Sequence, residues 1–182
     1  MFSDFRHGIF NRTTIAPLVS ALPAGPLRVA DSQVASRWGN ILDFQGFDLI
    51  TPNEREARFA LGDQDSTIRP LAMELYKRAG CQYLLLKMGE RGMIAYRAPT
   101  PEVRAFFTVD SFADKVTDAV GAGDALLAYA TIALIVSKCI VSASIIGAVA
   151  AALACEREGN HPVDPADVLK RLDHIERQIN YR

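Results

Sequence analysis

Apolar positions along the chain fall into two kinds of run, short continuous ones and longer ones with helical spacing. Leu27–Ala30, Phe47–Ile50, Cys81–Lys87, Met93–Tyr96 and Val103–Val109 are short runs bounded by turn residues, the pattern of strands. The run from Cys81 to Lys87 is almost wholly apolar, as expected of a strand covered on both faces. Between these runs lie segments with helical spacing. Asn11-Arg-Thr-Thr opens one through Ile15, Leu18 and Val19, with Pro17 in its early turns, and Pro23, Gly25 and Pro26 stop it. Asn53 to Leu61 is a second, ended by Gly62. Ser66 to Ala79 is a third, with Ile68, Leu71, Ala72, Leu75 and Tyr76 as its inward stripe and Gly80 at its end. Ala125 to Val136 carries no charge until Lys138, so it reads as a helix apolar on most faces and therefore buried. Val141 to Glu156 is alanine-rich with Gly147 at its centre, suited to close helix packing. Asp164-Pro165 opens a last helix, Ala166 to Ile179, with Val168, Leu169, Leu172 and Ile175 directed inward. The recurring order of strand, turn and helix predicts an α/β fold with a largely parallel sheet.

Length changes this picture little. A chain of 182 residues suits one domain with a sizeable core. A formal net charge of −1 argues against a nucleic-acid partner, which needs a basic field. Cys81, Cys139 and Cys155 lack paired or metal-like spacing and read as reduced core thiols of a cytoplasmic protein. The first residues have no apolar signal region, and the Ala125–Val136 run is shorter than a membrane span.

The chemistry concentrates in Asp118-Ala119-Val120-Gly121-Ala122-Gly123-Asp124, directly before the apolar helix. Gly121 and Gly123 allow close backbone approach. The first N–H groups of the helix have no internal partners and carry its positive end, which suits an anion. Asp124 at the helix entrance has two readings: a base that takes a proton from a hydroxyl, or a first-turn carboxylate that complements the dipole. The G-x-G is not a dinucleotide fingerprint, because Leu126 stands where the third glycine belongs; this disfavours a nicotinamide-dependent enzyme.

The string D-A-V-G-A-G-D resembles the D-T-x-G-A-G-D signature of the ribokinase-like (PfkB) carbohydrate kinases, with Ala119 where Thr is frequent. The resemblance implies a layered α/β fold, a mostly parallel central sheet flanked by helices. It implies Asp124 as catalytic base, with the Gly121, Ala122 and Gly123 backbone as an anion hole for the γ-phosphate of ATP. Asn53-Glu54-Arg55-Glu56 matches the family's N-x-x-E, whose Glu is associated with Mg2+ through water; the same residues also form a capping box. Lys87, Gly89 and Gly92 fall on T-x-G-x-x-G, the turn along the nucleotide phosphates, with Lys in place of Thr. Lys87 could meet a phosphate as a point charge or be a solvated strand end, and the glycines alone would make a hairpin turn. Asn160-His161-Pro162-Val163 resembles the loop beside the adenine, where His161 would stack on the base or stand exposed.

Ser3-Asp4-Phe5-Arg6-His7-Gly8 and Asp31-Ser32-Gln33 resemble S-D-Y-x-K-G and D-P-K of the heptose-kinase branch. Asp31, at a strand's C-terminal end, is where ligands gather in parallel sheets, although a loop aspartate more often makes a local turn. This register implies that residues 1–182 form a single C-terminal nucleotide-binding domain whose N-terminal half is absent. The implied function is ATP-dependent phosphorylation of a small sugar or sugar phosphate. A truncated sheet would expose an edge or an apolar face, covered by a second copy or by a partner supplying the absent half. The alternative is a non-catalytic nucleotide-binding or interaction module.

Overall fold

The computed structural model describes residues 1–5, 7–33, 40–101 and 104–180. Arg6 and Val103, part of two of the expected segments, lie outside the described residues. The chain forms two compact units, Met1–Val109 and Asp110–Arg182.

The first unit is built on six strands, β1 (Phe2–Asp4), β2 (Val29–Ser32), β3 (Leu49–Ile50), β4 (Tyr83–Lys87), β5 (Met93–Arg97) and β6 (Phe106–Val109), in that spatial order. The pairs from β1 to β4 are parallel; β4–β5 and β5–β6 are antiparallel. The mostly parallel sheet read from the sequence is therefore present, with an antiparallel extension at one side. Helices α1 (Arg12–Ser20), α2 (Glu54–Leu61) and α3 (Ile68–Ala79) fill the connections.

One face of the sheet carries Ala30, Ile50, Leu84, Leu86, Ile94 and Tyr96 into a core with Ile15 of α1, Ala57 of α2, and Leu71, Leu75 and Ala79 of α3. Strand pleating puts their neighbours Val29, Asp31, Leu49, Leu85 and Lys87 on the opposite face. Two features were missed in the sequence. Ile41–Phe44 forms a short 3-10 turn, and Phe2, Phe10, Phe44 and Phe47 interlock with ring centroids 5.3–6.3 Å apart. That aromatic cluster anchors β1, which too few residues announce as a strand. Both helix stops at Gly62 and Gly80 adopt left-handed φ (65° and 57°), the conformation for which glycine is used.

The second unit is helical: α4 (Ala122–Ser137), α5 (Ile140–Cys155) and α6 (Pro165–Asn180). Gly147 of α5 sits against α4 so closely that an added Cβ would lie 3.0 Å from both Ala130 Cβ and the Leu126 carbonyl oxygen. Val149, Ala150, Leu153 and Val168 form the core, with Tyr129, Leu172 and Ile175 packed against it. Two expectations fail here. Leu169 is 62% exposed rather than inward, because the face of α6 that meets α5 runs through Val168, Leu172 and Ile175. And α4 is not covered all round: Ile132, Ile135 and Val136, spaced i, i+3, i+4, are exposed on one face. Among the described residues no helix is long and apolar enough to cross a membrane.

Candidate functional site

Each unit carries one group of the residues singled out above. In the first, the carboxyl ends of parallel β2, β3 and β4 bring together Asp31, Thr51, Asn53 and Lys87, with Glu56 in the first turn of α2. Asn53 caps α2: its Oδ1 accepts from the Glu56 N–H (2.8 Å), and Glu56 returns the bond by accepting from the Asn53 N–H (2.6 Å) and Nδ2 (2.8 Å). The capping box is thus complete, which holds the Glu56 carboxylate in one orientation. Lys87 is no solvated strand end. Its Nζ lies 2.9 and 3.1 Å from the two carboxylate oxygens of Asp31, reaching over the intervening strand with side chains only 17% and 11% exposed.

Burial pushes the Glu56 carboxyl up to about 7; the Lys87 ammonium opposes this and the Asp31 carboxylate adds to it. A folded-state value raised above the unfolded 4.5 means that the folded chain holds the proton more tightly, so stability falls as pH rises between the two values. This group should therefore cost the fold about 3 kcal/mol between pH 5 and pH 8. Urea unfolding at both pH values should show the decline in the wild type and a flatter dependence in Glu56→Gln; equal slopes would contradict it.

The Thr51 hydroxyl, fully buried on the same face as Asp31, has no hydrogen-bond partner among the described residues. Beyond Lys87, Gly89 and Gly92 form the β4–β5 hairpin turn, closed by the Gly92 N–H to the Gly89 carbonyl (3.0 Å). Gly92 has φ 75° and ψ −131°, accessible in practice to glycine alone. The donor set fits magnesium through a single carboxylate. Among the described residues no three His, Cys, Asp or Glu groups converge, but Mg2+ keeps most of its water and needs few carboxylates. Each Glu56 oxygen accepts one hydrogen bond from Asn53 and keeps a lone pair to which a water of the ion's shell could donate.

In the second unit Gly121 takes φ 80° and α4 starts at Ala122. The α-helical ladder begins with the Ala125 N–H donating to the Gly121 carbonyl (2.9 Å), so the N–H groups of Gly123 and Asp124 precede it. Asp124 lies in the first turn, half-buried, at the positive end of the helix. The preceding irregular segment is fastened to the end of α5 through Thr117 and Asp118, whose N–H groups both donate to the Cys155 carbonyl (2.8 and 3.0 Å). His161 folds back over Gly159: its N–H donates to the Gly159 carbonyl (3.1 Å). The Asp31 partner of Lys87 and the Asn160 side chain beside Gly121 were not foreseen. The first pairing spans 56 positions, and no local pattern signals it.

The pattern of the pfkB family carbohydrate kinases matches residues 28–167. The chain belongs to this family. Its curated relatives include Bifunctional protein HldE of Pelobacter propionicus, 26% identical over 94% of this chain and 34% of that protein, and Bifunctional protein HldE of Azorhizobium caulinodans, 29% identical over 98% and 36%. Among solved structures, ribokinase from Thermotoga maritima superposes with a TM-score of 0.76 at 21% identity, covering 94% of this chain and 56% of that one. Arabidopsis thaliana ribokinase complexed with ribose and ATP gives 0.70 at 24% identity, covering 88% and 51%. The chain thus spans about a third of the length of the curated relatives it matches and about half of the ribokinases. A pfkB family member with this architecture has the ribokinase-like α/β fold. Both the Asn53–Glu56 cap and Lys87 lie inside the matched range, as does the glycine loop.

Proposed function

We propose that this chain supplies the nucleotide-handling part of an ATP-dependent carbohydrate kinase that transfers the γ-phosphoryl group to a sugar hydroxyl. The observation that carries the reading is the entrance of α4, where a left-handed glycine, the helix-start amides that precede the α-helical ladder and a first-turn carboxylate follow one another within four residues. Asp124 accepts the proton of the acceptor hydroxyl as its oxygen forms the new O–P bond and the bond from the γ-phosphorus to the ADP oxygen breaks. The N–H groups around Gly121, Ala122 and Gly123 stabilise charge on the transferring group. Asn53, Lys87, Gly89, Gly92 and His161 are the nucleotide contacts in this reading. Glu56 would hold Mg2+ through water, and the ion would neutralise phosphate charge when bound.

A heptose or heptose phosphate is the favoured acceptor, on the resemblance of Ser3–Gly8 and Asp31–Gln33 to that branch and on the HldE relatives. The compartment read from composition is the cytoplasm. A second reading is a nucleotide-binding or interaction module that uses the same helix entrance without turnover. The exposed stripe Ile132, Ile135 and Val136 gives a second copy or a partner chain an apolar surface to cover.

Transfer of labelled γ-phosphate from ATP to hexoses, heptoses and their phosphates tests the proposal. Formation of a sugar phosphate is expected. ATP binding without any transfer selects the module, and absence of ATP binding defeats both readings.

A further inference from the structure

Two loops of the second unit are fastened to one another by a single carboxylate. Asp118 accepts from the Val120 N–H with Oδ1 (3.0 Å) and from the Gly159 N–H with Oδ2 (3.0 Å). The first bond shapes the approach to the glycine loop, and the second reaches 41 positions along the chain to the turn after α5. These donors hold the Asp118 carboxyl below the usual carboxylate range. A second contact lies beside the first. A Cβ on Gly121 would stand 2.2 Å from Asn160 Oδ1, so the Asn160 carboxamide rests directly on the glycine's α-carbon. The turn formed by Gly159, Asn160 and His161 is tight, with the His161 ring Nε2 3.6 Å from where a Gly159 Cβ would be. Moving Gly159 therefore moves Asn160 and His161 with it. The main-chain bonds of Thr117 and Asp118 to Cys155 do not use the carboxylate and would survive its loss.

We propose that Asp118 is a positioning residue that locks the turn bearing Asn160 and His161 to the glycine loop. The phosphate-side amides at Gly121–Gly123 and the base-side His161 are thereby held at one separation before a nucleotide arrives. Preorganisation of this kind lowers the ordering cost of binding. The assignment rests on the nucleotide reading given above, and it acts on ATP affinity rather than on the chemical step.

The test uses Asp118→Ala, which removes both acceptors, and Asp118→Asn, which can accept from only one of the two donors. Amide hydrogen exchange followed by NMR reads the brace directly. In Asp118→Ala the Gly159 amide should exchange about ten-fold faster while the Thr117 amide, bonded to Cys155, keeps the wild-type rate. ATP binding by calorimetry should weaken about ten-fold, equivalent to about 1.4 kcal/mol. Where turnover is measurable, KM for ATP should rise while kcat at saturating ATP stays within about two-fold. Asp118→Asn should fall between Asp118→Ala and wild type in ATP affinity. Equal loss of protection at Thr117 and Gly159 would mean general loosening and would overturn the assignment. So would wild-type ATP affinity in Asp118→Ala, provided the wild type binds ATP. If the wild type itself binds no ATP, the nucleotide reading falls and this assignment falls with it.

Discussion

Asp124→Asn should lower kcat for phosphoryl transfer by about 10²–10⁴-fold while ATP affinity stays near that of the wild type. The substitution keeps the shape of the side chain at the third position of α4 and removes its capacity to take a proton. The glycine loop, whose conformation depends on Gly121 at φ 80°, is left unchanged. Loss of the carboxylate also removes a favourable interaction with the helix dipole, worth about 0.3–1 kcal/mol. That stability cost is small beside the expected kinetic loss, and this difference in size separates the two roles. A coupled assay gives kcat, calorimetry gives ATP affinity, and thermal unfolding gives the stability change. Turnover at the wild-type rate would leave Asp124 as a dipole-complementing residue and move the proton to another acceptor. A matching loss of kcat and ATP affinity would point instead to a disturbed helix entrance.

How much of this was legible in the chain depended on whether the determining contacts were local. The start of α4 is a local event: two glycines, the first helical amides and an acid three positions into the helix fall within one short string. The same holds for α2, where Asn53 and Glu56 satisfy each other across one turn. Helix stops at Gly62 and Gly80 were readable because left-handed φ selects glycine. Contacts between distant segments were not readable. Lys87 gave equal grounds for a phosphate contact and for a solvated strand end, because the strand that brings Asp31 beside it lies two positions across the sheet. Strand β1 was hidden for a related reason: its place is set by Phe2 packing on Phe10, Phe44 and Phe47. In α4 the composition is apolar on every side, so its pattern could not show which face lacks cover. Asp118 stood in the motif, yet its bond to Gly159 becomes visible only when the turn after α5 is in place.

The Asp31–Lys87 pair is where stability and binding can be separated by one set of variants. Lys87→Met should destabilise the fold by about 3 kcal/mol, at the lower end of the cost of leaving a buried charge without its partner. Asp31 would then act on the raised carboxyl of Glu56 without the Lys87 ammonium, the largest of the influences that pull Glu56 down. Glu56 should accordingly rise further, and the loss should be larger at pH 8 than at pH 5, where protonation relieves the repulsion. Asp31→Asn alone leaves Lys87 unpaired and should also destabilise. The double variant Asp31→Asn/Lys87→Met removes both charges and should recover most of the stability, giving a coupling energy of about 1–3 kcal/mol in urea unfolding. Additive losses would show that the two side chains do not stabilise each other. ATP affinity in the same variants then assigns the lysine. If Lys87 contacts phosphate, the double variant regains stability and still binds ATP weakly; if its whole task is to neutralise Asp31, affinity returns together with the fold.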